Sequence, residues 1–181
     1  MKKCKTCRTE FAPTKPMQSV CSPSCALSLA SSKRAKALKV EQVKDKRETK
    51  QKLDRLKSKA QWAKEAQTEF NRFIRLRDSD QPCISCGRHH QGQYHAGHYL
   101  SVGARPELRF TESNVHKQCA PCNTHLSGNA VLYRKGLIAK IGIELVEWLE
   151  GSHTPRKYWA DALISIKREY AAKARALEAV Q

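Results

Sequence analysis

The sequence predicts a predominantly helical α+β protein organised by metal-binding cysteines, and three observations carry that expectation. Eight cysteines fall into two sets of four: Cys4, Cys7, Cys21 and Cys25, then Cys83, Cys86, Cys119 and Cys122. From Pro23 to Asp78 the chain has no further Gly or Pro and is rich in Lys, Ala, Glu, Gln and Leu, all strong helix formers. The segment enclosed by the second cysteine set alternates short strand and turn patterns, and the chain closes on two amphipathic helical patterns. The layout read from these features has four parts: an N-terminal zinc module over residues 1–30, a long basic helix over 31–78, a zinc-braced ββα core over 79–130 and a C-terminal helical pair over 131–181.

In the first part, Cys4-x-x-Cys7 and Cys21-Ser-Pro-Ser-Cys25 offer four thiolates, enough to close the shell of one tetrahedral Zn(II). Ser22 is a plausible helix N-cap with Pro23 at the first helical position, so Cys21 and Cys25 meet the metal from a helix start. A treble-clef-like module is the expectation, structural or protein-binding in character and with no chemistry assigned to it. The same 30 residues hold several lysines and no long apolar run, so neither a signal peptide nor a membrane span is expected. Cys-x-x-Cys pairs in a reducing cytoplasm are metal ligands more often than disulfides, and a cytoplasmic location is the expectation.

The second part carries much of the charge. The chain has 34 Lys and Arg against 17 Asp and Glu, a formal charge of +17. Lys33, Arg34, Lys36, Lys39, Lys44, Lys46, Arg47 and Lys50 crowd its first half. A stripe of this density releases counterions from a polyanion, which gives salt-dependent affinity for DNA or RNA; the plain alternative is a solvated helical face. A helix of ~50 residues would reach ~75 Å at 1.5 Å per residue. Leu53, Leu56, Ala60, Ala63, Phe70 and Ile74 recur at helical spacing, which suits either packing on the chain's own core or a dimer seam.

In the third part, Tyr94 to Leu100 reads as a strand, Ser101 to Glu107 as a loop and Leu108-Arg109-Phe110 as a short return strand. Ser113 or Asn114 then caps a helix through Val115 to Gln118 and into the second knuckle. In the fourth part, Leu137, Ile138, Ile141, Leu145, Trp148 and Leu149 form one stripe, and Thr154-Pro155 opens a second helix carrying Trp159, Leu163, Ile166, Tyr170 and Leu177.

His98, Asn114 and Asn123 resemble the three positions of the HNH nuclease motif in the variant that ends in Asn. The flanking cysteine pairs are similar to those of zinc-braced HNH enzymes and of junction-resolving endonucleases of the endonuclease VII type. The runs Cys83-Ile-Ser-Cys86-Gly-Arg-His-His, His95-Ala-Gly-His-Tyr, Asn114-Val-His-Lys-Gln-Cys and Cys122-Asn-Thr-His-Leu-Ser-Gly-Asn129 resemble more narrowly the lambdoid phage NinG family, also called Rap. That resemblance implies a DNA endonuclease acting on branched recombination intermediates such as four-way junctions and D-loops. A homodimer is sensible for it, because a junction needs two symmetric cuts and one chain offers one site.

Phosphodiester hydrolysis needs a base for water, a Lewis acid and a rigid frame. A neutral imidazole at His98 suits the base. Asn123, fixed beside the Cys122 thiolate, offers an oxygen to Mg(II) or Mn(II), and Asn114 braces the loop that carries His98. HNH enzymes commonly place Asp before the base, whereas Gly97 stands here; His95 is the best local substitute. It lies on the opposite strand face from His98 unless a bulge intervenes. His116 and His125 read as phosphate contacts or surface residues, and His89 and His90 are set aside because four thiolates already satisfy the zinc. Two other readings stay open: a non-catalytic zinc adaptor that coats DNA, and a sequence-specific HNH nuclease.

Overall fold

The computed structural model describes residues 1–180 and shows a predominantly helical α+β chain with two small antiparallel sheets. It divides into two compact units, Met1–Lys57 and Ser58 onward.

In the first unit, β1 (Lys2–Lys3) pairs with β2 (Glu10–Phe11) around the first knuckle, and α1 spans Pro23–Arg55. Ser22 caps α1 as expected: its hydroxyl accepts the Cys25 amide at 3.3 Å, and Pro23 occupies the first turn. No residue of α1 is buried.

The single helix expected over 31–78 is two helices. α1 ends at Leu56, whose amide bonds Leu53 and Asp54 carbonyls, and α2 (Lys59–Arg77) starts afresh at Ser58. Ser58 Oγ accepts the Gln61 amide at 3.3 Å while Gln61 Oε1 accepts the Ser58 amide at 2.7 Å. This capping box satisfies the amides freed by a break. No apolar face on α1 rewards continuation, so local capping decides where the helix stops.

α2 is a core helix of the second unit. It buries Trp62, Ala66, Phe70, Phe73 and Ile74 at helical spacing, against Leu163, Tyr170 and Ala174 of α5 (Ala160–Glu178). Phe70 meets Phe110 and Tyr170 edge-on, at ring-centroid distances of 5.6 and 4.7 Å. Phe70 and Ile74 therefore take the own-core alternative, whereas Leu53 and Leu56, on the other side of the break, are exposed.

β3 (Tyr94–His98) pairs with β4 (Val115–Cys119) in an unbroken register that sets His95 opposite Gln118, Gly97 opposite His116 and His98 opposite Val115. Two expectations are corrected here. Leu108 to Phe110 is no return strand; Pro106–Leu108 forms a 3-10 turn. Val115 to Gln118 is strand β4 and not a helix: all five residues of β4 are buried, so its two covered faces left no period to read.

A π-helical turn over Pro121–His125 follows, then α3 (Ala130–Ile141) and α4 (Ile143–Glu150), divided at Gly142, whose φ of +83° a helix does not accept. The C-terminal pair is thus a trio, and its last helix begins at Ala160 and not after Pro155, with Trp159 at the cap position. α3 and α4 enclose a second apolar cluster of Leu108, Tyr133, Leu137, Val146 and Leu149. Asp78, 3 % exposed, ties the pieces together by accepting from Arg77, from Lys140 at 3.0 Å and from the Lys117 amide at 3.1 Å. Burial alone would raise its pKa, but these donors outweigh it and hold the carboxyl at about 2. Among the described residues no helix is long and apolar enough to cross a membrane.

Candidate functional site

The two knuckles are built alike. Cys4 N donates to Thr9 O and Arg8 N to Cys4 O, both at 3.0 Å; Cys83 N donates to Arg88 O at 3.0 Å and Gly87 N to Cys83 O at 2.9 Å. The turn residue is left-handed in both, Arg8 at φ 65° and Gly87 at φ 66°. In each set the amide of the third cysteine reaches the sulfur of the first: Cys21 N to Cys4 Sγ and Cys119 N to Cys83 Sγ, both 3.4 Å. None of the eight cysteines forms a disulfide, and within each set the sulfurs lie within 4.8 Å of one another.

The donor chemistry fits zinc. Burial would push the Cys83 thiol up, yet the amides of Cys86, Cys119 and Ser85 outweigh it and bring its pKa below the ordinary thiol value. Amides of Cys7, Thr6 and Cys21 likewise bring Cys4 to about 6 against its burial. Burial and the neighbouring sulfurs push Cys119 up to about 12, and neighbouring sulfurs do the same to Cys21. Four crowded thiols cannot all ionise without a cation, and a dication bound by four sulfurs lets them do so. Both sets can therefore hold zinc. The second set would join the knuckle before β3 to the end of β4 and to the π-helical turn, which fixes Asn123 at the next position.

Strand alternation then sorts the polar residues. His95, Gly97, His116 and Gln118 share one face of the β3–β4 pair; Ala96, His98, Val115 and Lys117 share the other. Asn123 comes to the first face, its amide nitrogen 2.9 Å from His95 Nδ1. His98 instead sets Nε2 3.0 Å from the Arg109 carbonyl, and Arg109 is held by Gln67 of α2 at 2.8 Å. The structure thus brings Asn123 to His95, and His98 makes no hydrogen bond to Asn123. Burial lowers the His98 pKa, with the Arg109 charge acting in the same direction and the carbonyl opposing, so the ring is neutral at neutral pH.

Asn114 lies in the short turn before β4 and not at a helix start, and it is fully buried. Its side chain clamps the loop that follows His98: Oδ1 accepts Leu100 N at 2.9 Å, and Nδ2 donates to Leu100 O at 3.0 Å and Leu108 O at 3.3 Å. His116 is no surface contact. It is 2 % exposed, and burial, then Lys140 and Arg77, push its pKa down to about 3. His125 and His89 are exposed, and His90 Nε2 lies 3.2 Å from Cys86 Sγ. Lys33, Arg34, Lys36, Lys39, Lys44, Lys46, Arg47 and Lys50 are all exposed on α1. Sequence reading missed Gln118, fully buried opposite His95; only knowing that 115–119 is a strand would have turned it inward.

The model of a protein family described as bacteriophage lambda NinG protein matches residues 1–179. The chain is 42 % identical over 189 aligned positions to the ninG proteins of Escherichia phage lambda and Salmonella phage P22, covering 97 % of this chain and 93 % of each relative. The ninG protein of Enterobacteria phage H19B is 47 % identical over 112 positions, 62 % of this chain and 56 % of that relative. No solved structure matches.

Proposed function

Because the chain belongs to the NinG family of lambdoid phage proteins, we propose that it is a zinc-braced, Mg(II)- or Mn(II)-dependent DNA endonuclease of the HNH type that cuts branched recombination intermediates as a homodimer. The observation that carries this reading is the 2.9 Å approach of Asn123 to His95 across the β3–β4 face, one residue beyond Cys122 of a cysteine set that can hold zinc. Zinc bracing alone needs no such pair.

His95 and Asn123 would hold the divalent cation, which when bound supplies Lewis acidity to the scissile phosphate. His98 is the base. With Nε2–H donated to the Arg109 carbonyl, Nδ1 keeps its lone pair and takes the proton of the attacking water. Burial keeps that ring neutral, and Asn114 fixes the loop beside it. The exposed basic row of α1 supplies sequence-independent phosphate contacts, which suits recognition of a branched shape over a base sequence.

A non-catalytic zinc adaptor is the competing reading, favoured by the placement of His98 on the strand face opposite Asn123. A labelled four-way junction incubated with zinc-loaded protein separates the two. Nicking that requires Mg(II) and survives excess linear duplex supports the nuclease. Retarded migration with no nick supports the adaptor, and cutting of linear duplex at one sequence supports a site-specific HNH enzyme.

A further inference from the structure

Among the described residues two buried side-chain polar atoms lack a hydrogen-bond partner, His116 Nδ1 and Gln118 Oε1. Both lie on the face of β4 that looks toward Gly97 and His95. The Gln118 oxygen is oriented without ambiguity. Its Nε2 donates to Ser85 Oγ at 2.7 Å and to the Gly128 carbonyl at 2.6 Å, and a carbonyl can only accept. Oε1 is left as a fully buried acceptor with no donor, a costly arrangement that a fold retains for a reason.

Its direction gives the reason. A Cβ built on Gly97 would stand 2.1 Å from Oε1, so the oxygen occupies the space directly over that glycine. Gln118 is also the cross-strand partner of His95, and His95 holds Asn123. A carboxamide oxygen without a donor, a second carboxamide and an imidazole therefore gather on one face of the two strands.

We infer that Gln118 Oε1 is a further oxygen donor to a divalent cation bound with His95 and Asn123, and that Gly97 is glycine to leave room for it. The inference rests on the nuclease reading and extends it to a residue that reading does not use. Carboxamide oxygens suit Mg(II) and Mn(II), and the softer imidazole donor favours Mn(II) of the two. His116 is the poorer donor, because Lys140 and Arg77 repel a cation there. A buried water bridging His116 Nδ1 and Gln118 Oε1 would also satisfy both orphans, and it predicts no metal dependence.

The test titrates Mn(II) into zinc-loaded full-length protein and counts free Mn(II) by electron paramagnetic resonance, with zinc content and circular dichroism as checks of folding. Gln118→Met and Gly97→Ala should each weaken Mn(II) binding on the order of 10- to 100-fold, the second by pushing an unaltered Gln118 aside. Gln118→Glu should retain binding. Should Gln118→Met fail to fold, Gly97→Ala decides alone. Unchanged Mn(II) affinity in folded variants overturns the inference while a cleaving wild type keeps its nuclease assignment. A wild type that neither binds Mn(II) nor cuts overturns both.

Discussion

At the scale of single residues, backbone geometry and burial set the chemistry. Arg8 and Gly87 fill the same left-handed knuckle position, but only glycine does so without strain. Arg8→Gly should stabilise the first unit by roughly 1 kcal/mol and Gly87→Ala should destabilise the second by a similar amount, as read from thermal melts of zinc-loaded protein. His98 makes a pH prediction. Its folded pKa lies below the ordinary value of 6.5, so the ring stays deprotonated, and competent as a base, at pH values where an exposed histidine is already charged. The acid limb of single-turnover cleavage should therefore fall below pH 6.5, and a limb at or above that value would remove His98 from the role. The two cysteine sets were legible because thiolates at this spacing state their chemistry. Gln118 was not, because a glutamine announces neither burial nor a missing partner.

At the scale of elements, the sequence spoke where one periodicity dominated and misled where local capping or two-sided burial took over. α2 and α5 were readable from apolar spacing. The break between α1 and α2 was written in Ser58-x-x-Gln61 but hidden by uniform helix propensity on both sides. β4 was hidden because Val115–Cys119 is covered on both faces. Removing the cap with Ser58→Ala should cost about 1 kcal/mol in the second unit, measured by denaturant unfolding. Asp78 joins the end of α2 to β4 and α3 through charged donors. Asp78→Ala leaves Arg77 and Lys140 without their carboxylate and should cost about 3 kcal/mol. A loss under about 1 kcal/mol would show that solvent replaces the carboxylate, as it does for surface pairs.

At the scale of the whole molecule, two zinc-ready knuckles, one exposed basic helix and one polar strand face with Asn123 against His95 are the features that the proposed function draws on. The second cysteine set, which can hold zinc, directly precedes Asn123, Asn123 meets His95, and α1 presents an exposed basic row. Neutralising Lys33, Arg34, Lys36 and Lys39 together should flatten the plot of log binding constant against log salt by about 0.9 for each duplex phosphate that the helix no longer neutralises, without changing the cleavage rate of bound substrate. The overall class and both cysteine sets were visible in the chain itself, and strand parity already set His98 on the face opposite His95, whereas the approach of Asn123 to His95 depends on the turn after β4, which no spacing reveals. The proposed nuclease activity hangs on the pairing of His95 with Asn123. Its most direct test is the single-turnover cleavage rate of a Mg(II)-saturated four-way junction by Asn123→Ala, compared with wild type at equal zinc content and equal junction binding. A fall of at least about a hundredfold with binding intact is expected; a wild-type rate would contradict the account.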